Sequence, residues 1–113
     1  MSVRVYLPAT LAALATYDAS GEVPADVARV TAADESEDAE YASLMEAAAA
    51  SRELLAGPGR RVVLVAEVAQ SDGVVPMDRI VAVHVDTAED ADEDDDLAWY
   101  ASQEIPDLIS RHP

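Results

Sequence analysis

The ten residues from Arg60 to Ala69, RRVVLVAEVA, form an almost unbroken run of β-branched and aliphatic side chains. A strand with one wet face alternates apolar and polar residues, so a run like this belongs at the centre of a sheet, covered on both faces at least in part. The rest of the chain must supply its neighbours and its cover. Residues 79–86, RIVAVHVD, alternate Val81, Val83 and Val85 against Ile80, Ala82 and His84, and read as a second strand. Asp72-Gly73 and Pro76 provide the turn between the two, and a connection that short makes the pair antiparallel. At the start of the chain, VRVYLP sets Val3, Val5 and Leu7 against Arg4 and Tyr6, the period of a half-buried strand. Val27 to Ala33 is a weaker strand, because its alanines suit either period.

Helical periods fill the gaps. Pro8 suits a first helical turn, Leu11, Leu14 and Ala15 make an apolar stripe, and Gly21 ends it. The clearest helix runs from about Ser36 to Ala56. Asp34 and Glu37 have capping-box spacing, the first turn is acidic, and Tyr41, Leu44, Met45, Ala48 and Leu55 share a face before Gly57-Pro58. At the end of the chain Leu97, Ala101, Ile105 and Leu108 recur at helical spacing, with Trp99 and Tyr100 beside them. Pro106 predicts a kink or break there. The order β-α-β-α-β-β-α over residues 1–113 implies a single α+β domain: one four-stranded mixed sheet, with helices mainly on one face and right-handed crossovers between parallel pairs.

Composition narrows the chemistry. Ala supplies 23 of the apolar residues and Phe none, so the core falls to Val, Leu and Ile with a few Tyr and Met. The absence of Cys removes disulfides, thiolate nucleophiles and Cys-based metal sites. No stretch approaches the roughly 18 apolar residues of a membrane span, and MSVRVYLPATL resembles no leader, so the expected location is the cytoplasm. Lys and Asn are also missing; a GC-rich genome writes such a bias, and so does adaptation to salt. A formal net charge of −16 repels nucleic acid and anionic membranes.

Eight of those acids lie between Asp86 and Asp96. Asp90, Asp92 and Asp94 alternate as in an EF-hand, but the bend and closing positions hold Asp95 and Ala101 where that loop needs Gly and Glu. The run reads instead as a solvated loop whose last members, Asp94 to Asp96, cap a helix starting at Leu97. No other catalytic or metal pattern is present. None of the serines lies in a G-x-S-x-G elbow, GPGRR lacks the P-loop Lys and follows a helix, and no H-E-x-x-H occurs. His84 and Asp86, two apart on one strand, are a lone imidazole–carboxylate combination of the kind that structural residues also make. No catalytic residue, metal or cofactor is assigned, and the balance leans away from an enzyme.

The pleat gathers the remaining chemistry. With Val3, Val5, Leu7, Ala28, Val30, Ala32, Val81, Val83 and Val85 turned to the helices, Arg4, Tyr6, Arg29, Thr31 and His84 share the opposite face, beside Ile80 and Ala82. Trp99 and Tyr100 form a second candidate surface, since aromatics and Arg dominate interface energetics.

Four blocks, RVYLPATLAAL from Arg4, EYASLMEAAAASRELL from Glu40, RVVLVAEV with VAVHVD, and LAWYASQEIPDLI from Leu97, resemble a family of small uncharacterised actinobacterial proteins, a domain of unknown function. The last block, with Trp99, Tyr100, Gln103, Glu104 and Pro106, is the distinctive one. The resemblance implies an actinobacterial, cytoplasmic protein and brings no activity to carry over. Three functions follow as expectations. The first is a non-enzymatic domain that self-associates as a homodimer or binds a protein partner. The second is a binding protein or minor enzyme for a small anionic metabolite held by Arg4, Tyr6, Arg29 and His84. The third is an acidic mimic of nucleic acid.

Overall fold

The computed structural model describes residues 2–112. In chain order the elements are β1 (Val3–Ala9), α1 (Leu11–Ser20), β2 (Glu22–Val23), β3 (Val30–Thr31), α2 (Glu37–Leu54), β4 (Val62–Val68), β5 (Val75–Pro76), β6 (Ile80–Val85), β7 (Ala98–Ala101) and α3 (Ile105–Arg111). The main sheet has five strands in the order β3-β1-β4-β6-β7, and a small two-stranded sheet joins β2 to β5. Every pairing is antiparallel. The chain is thus a single α+β domain, but its sheet is antiparallel and five-stranded where a mixed sheet of four was expected. The Arg60–Ala69 run is the centre of it: β4 lies between β1 and β6 and is buried almost throughout.

The fifth strand comes from the segment expected to be the start of a helix. Leu97 and Ala101 do have helical spacing, but the aromatic pair Trp99-Tyr100 suits a strand as well, and the free edge of β6 offers residues 98–101 a ladder from Ala82 to Val85. Tyr100 packs into the core on one side, and Trp99 emerges on the other. A short turn of 3-10 helix, Ser102–Glu104, then leads into α3. Pro106 opens that helix instead of kinking one, in the first turn where a missing N–H has no acceptor to lose. With no helix at Leu97, the cap expected from Asp94 to Asp96 is not there.

Local chemistry explains the other ends. The Thr10 hydroxyl accepts the Ala13 N–H to open α1, and Gly21, at φ 87°, closes it in the left-handed conformation that glycine favours. The cap of α2 is Ser36, whose hydroxyl accepts the Ala39 N–H, and Asp34 steadies it by accepting the Ser36 N–H at 2.8 Å. Hydrogen bonding from Ser36, first from its side chain and then from this N–H, holds the Asp34 carboxyl below its ordinary pKa.

Helices cover both faces of the sheet, not mainly one. Val5, Leu7, Val62, Leu64, Val83 and Val85 meet Leu14 of α1 and Ile105 and Leu108 of α3. The other face sets Tyr6, Val63, Val65 and Ala82 against Ala47 and Ala48 of α2. Small side chains let α2 lie close: its buried Ser51 donates to the Ala9 carbonyl at 2.7 Å and accepts the Val62 N–H at 2.9 Å. The β4–β6 register slips between Val65 and Ala66, which face Ala82 and Ile80. Val81 is the extra residue of this bulge. The slip turns Ile80 into the α1/α3 core and leaves Val81 exposed, the reverse of their expected sides.

Candidate functional site

Five strands at about 4.8 Å spacing make a sheet roughly 24 Å wide, whereas one helix with its side chains is about 10 Å across. Two helices can cover such a face and one cannot. On its face α2 lies against β1, β3 and β4, and the strip over β6 and β7 is left open.

A cleft of about 430 Å³ follows that strip. Tyr41 and Leu44 of α2 form one wall and Trp99 of β7 the other, with Tyr6, Val65, Ala82 and His84 beneath and Arg4 and Glu40 at one end. Trp99 is 61% exposed, Tyr41 52% and Val81 38%, three of the large apolar side chains most open to water, all lining this cleft. His84 and Trp99 are cross-strand partners, which sets imidazole beside indole. Burial pushes the His84 pKa down, favouring the neutral ring. Tyr41 donates its hydroxyl to Asp96 at 3.0 Å, and that bond raises its pKa. Desolvation first, and the Glu40 charge second, raise the pKa of Tyr6.

Four of the six candidate residues, Arg4, Tyr6, His84 and Trp99, therefore line one cleft. Trp99 was expected with Tyr100 on a separate surface; a strand sends the two to opposite faces, and Tyr100 packs against the aliphatic core. Arg29 is elsewhere as well. Its guanidinium donates to the carbonyls of Pro24, Ala25, Val27, Ser71 and Gly73, tying together the loops on either side of the small sheet. It is a structural clamp.

Arg4 is not free to hold an anion. It donates to Glu67 at 3.0 Å and lies 3.6 Å from Glu40, and the Glu67 bond leads the causes that raise its pKa. Two carboxylates outweigh one guanidinium, so this end of the cleft carries net negative charge.

Asp86 does not serve His84. Both of its carboxylate oxygens are taken by Arg61, at 2.8 Å from Nε and from Nη2, and the Arg61 backbone N–H donates to the same carboxylate. Arg61 is only 2% exposed and Asp86 1%. The same guanidinium donates to the backbone carbonyls of Asp92, Glu93 and Asp95, and Arg52 holds that of Ala91 at 2.8 Å. The acid run is thus a loop, as expected, but one wound around a buried arginine by its carbonyls. The pattern did carry a signal: Val62 pairs with Val85, so the residues just before and just after them meet at one end of the ladder. Among the described residues, no group of three or more His, Asp or Glu side chains is placed to hold a metal ion. No helix among the described residues is long and apolar enough to cross a membrane.

No curated protein and no solved structure matches the chain. A family model matches residues 3–94, from β1 through β6 and most of the acid run, stopping short of the Leu97–Ile109 block that carried the most distinctive resemblance. That is well over half of the sequence, and the chain belongs to DUF6912, a family of unknown function.

Proposed function

We propose that this chain acts as a non-enzymatic protein-interaction domain, and that its working surface is the cleft between α2 and the β6–β7 strip. The observation that carries this reading is the convergence of Trp99, Tyr41 and Val81, exposed on three different elements, around one cleft. Exposed large apolar side chains scattered singly need no explanation, but a cluster rimmed by polar groups marks a binding surface. Trp and Tyr are the residue types that concentrate binding energy. An unpaired outer edge of β7 runs alongside, and an extended segment can add to such an edge. The anionic metabolite gains less support, since Arg29 is spent on carbonyls and Arg4 on carboxylates.

The test is affinity capture from an extract of the native cell with the parent, Trp99→Ser and Val81→Asp, each first shown to melt cooperatively. A protein retained by the parent and lost from both variants is the expected result. Equal retention by all three would remove the cleft as the working surface.

A further inference from the structure

The charge around the cleft identifies the chemistry of its occupant. We infer that the cleft takes a cationic, extended segment of a partner protein, with an Arg or Lys side chain lying over Trp99 and reaching the carboxylates at the rim. This deepens the interaction reading above and rests on it.

Charge complementarity separates the candidates. The rim holds Glu40 and Glu67, which together outweigh Arg4, and Asp96, bound to Tyr41. An acidic segment would meet repulsion from all three carboxylates. A second copy of the chain is a poor occupant for the same reason. It brings a net charge of −16 and no lysine. Six of its seven arginines are already engaged: Arg4, Arg61 and Arg111 by carboxylates, and Arg29, Arg52 and Arg60 by backbone carbonyls. Among the described residues, only Arg79 makes no such bond. A partner rich in Arg or Lys supplies what the chain cannot. A guanidinium or ammonium over an indole face is held by cation–π attraction, and the rim carboxylates add the charge pairing.

The edge of β7 sets how the segment lies. Glu104 accepts the Ala101 N–H at 2.8 Å, which closes one donor at the end of the edge. The Trp99 backbone is one alternation earlier and, in an antiparallel strand bonded to β6 through its neighbours, faces outward with its side chain over the cleft. An added strand would pair there, directing every second side chain toward Trp99.

Trp99 is the only tryptophan, so its emission reports occupancy directly. The probe is a short peptide of alternating Arg and Val, with alternating Glu and Val, and Ser and Val, as controls. The expected result is a saturable change in Trp99 emission with the Arg peptide only, weakened by salt. Glu40→Gln with Asp96→Asn should raise its Kd at least threefold, and Glu89→Ser with Asp90→Ser should leave it unchanged. If the acid-loop variant weakens binding as much as the rim variant, the peptide is reading bulk charge and the inference fails. If the Arg peptide leaves the emission unchanged while native capture still depends on Trp99, the cleft binds a partner of other chemistry; the inference falls and the interaction reading survives. A dimer in sedimentation that Trp99→Ser dissolves would also overturn it, in favour of a second copy.

Discussion

Beneath α1 and α3, Val5, Leu7, Val62, Leu64 and Val83 are wholly removed from water, while over the opposite face of the sheet Trp99 and Val81 of the strands and Tyr41 of α2 stand open to it. The two faces begin with similar apolar strands and differ in cover. Two helices, α1 and α3, span the first face, with Tyr100 packed beside them. A single helix, held close by Ala47, Ala48 and Ser51, covers half of the second. The apolar surface left open on a sheet is set by the number and width of the helices that cover it, not by how hydrophobic the strands are.

That contrast can be broken most severely at the shared strand ends. Val62 and Val85 belong to the closed face, and the Arg61–Asp86 pair sits immediately beyond them. Replacing Asp86 by Ala strands a buried guanidinium, and the expected loss is about 3–5 kcal/mol. Chemical denaturation would show it as a fall in midpoint. A loss under 1 kcal/mol would mean that the acid-loop carbonyls alone can hold Arg61.

Within the closed face, Leu64→Ala should cost about 2–5 kcal/mol, which for a domain of this size lowers Tm by roughly 10 °C or more. The same assay on Trp99→Ser gives the other half of the comparison: a stability change within about 0.5 kcal/mol, as for other exposed positions, together with loss of partner capture. If Trp99→Ser destabilises as much as Leu64→Ala, the indole is part of the core and the face is not open.

His84 tests the open face through pH. Burial lowers its folded-state pKa, so between about 6.5 and that lower value the unfolded chain binds a proton that the folded chain does not. The stabilisation is present above about pH 6.5, is lost as the pH falls through that window, and changes no further below the folded pKa. His84→Gln should therefore narrow the drop in Tm between pH 7 and pH 5 relative to the parent. Identical pH profiles would place His84 in ordinary water contact.

The smallest expected effect is in the acid loop. Glu89, Asp90, Asp92 and Glu93 hold nothing in the core with their carboxylates, since Arg61 grips the backbone. Changing all four to Ser should shift stability by no more than about 0.5 kcal/mol. A larger loss would give the carboxylates a part in closing the strand ends.

Much of this was legible from the chain alone. The β-branched run at Val62–Val68, the alternation at Val3–Ala9 and the long amphipathic period of α2 are local patterns, and local patterns survive into the fold because burial on one face demands them. Arg4, Tyr6 and His84 were placed on one face by the same pleat, and they do line one cleft. Tertiary structure decided the rest. Residues 98–101 suit a helix or a strand, and the open edge of β6 chose the strand, carrying Trp99 into the cleft and Tyr100 away from it. The slip beside Val65 exchanged the sides of Ile80 and Val81, because one extra residue reverses a period of two. Nothing local distinguishes Arg4 from Arg29 or Arg61. An arginine becomes a clamp or a rim charge according to which distant carbonyls and carboxylates converge on it, and only the folded chain brings those together.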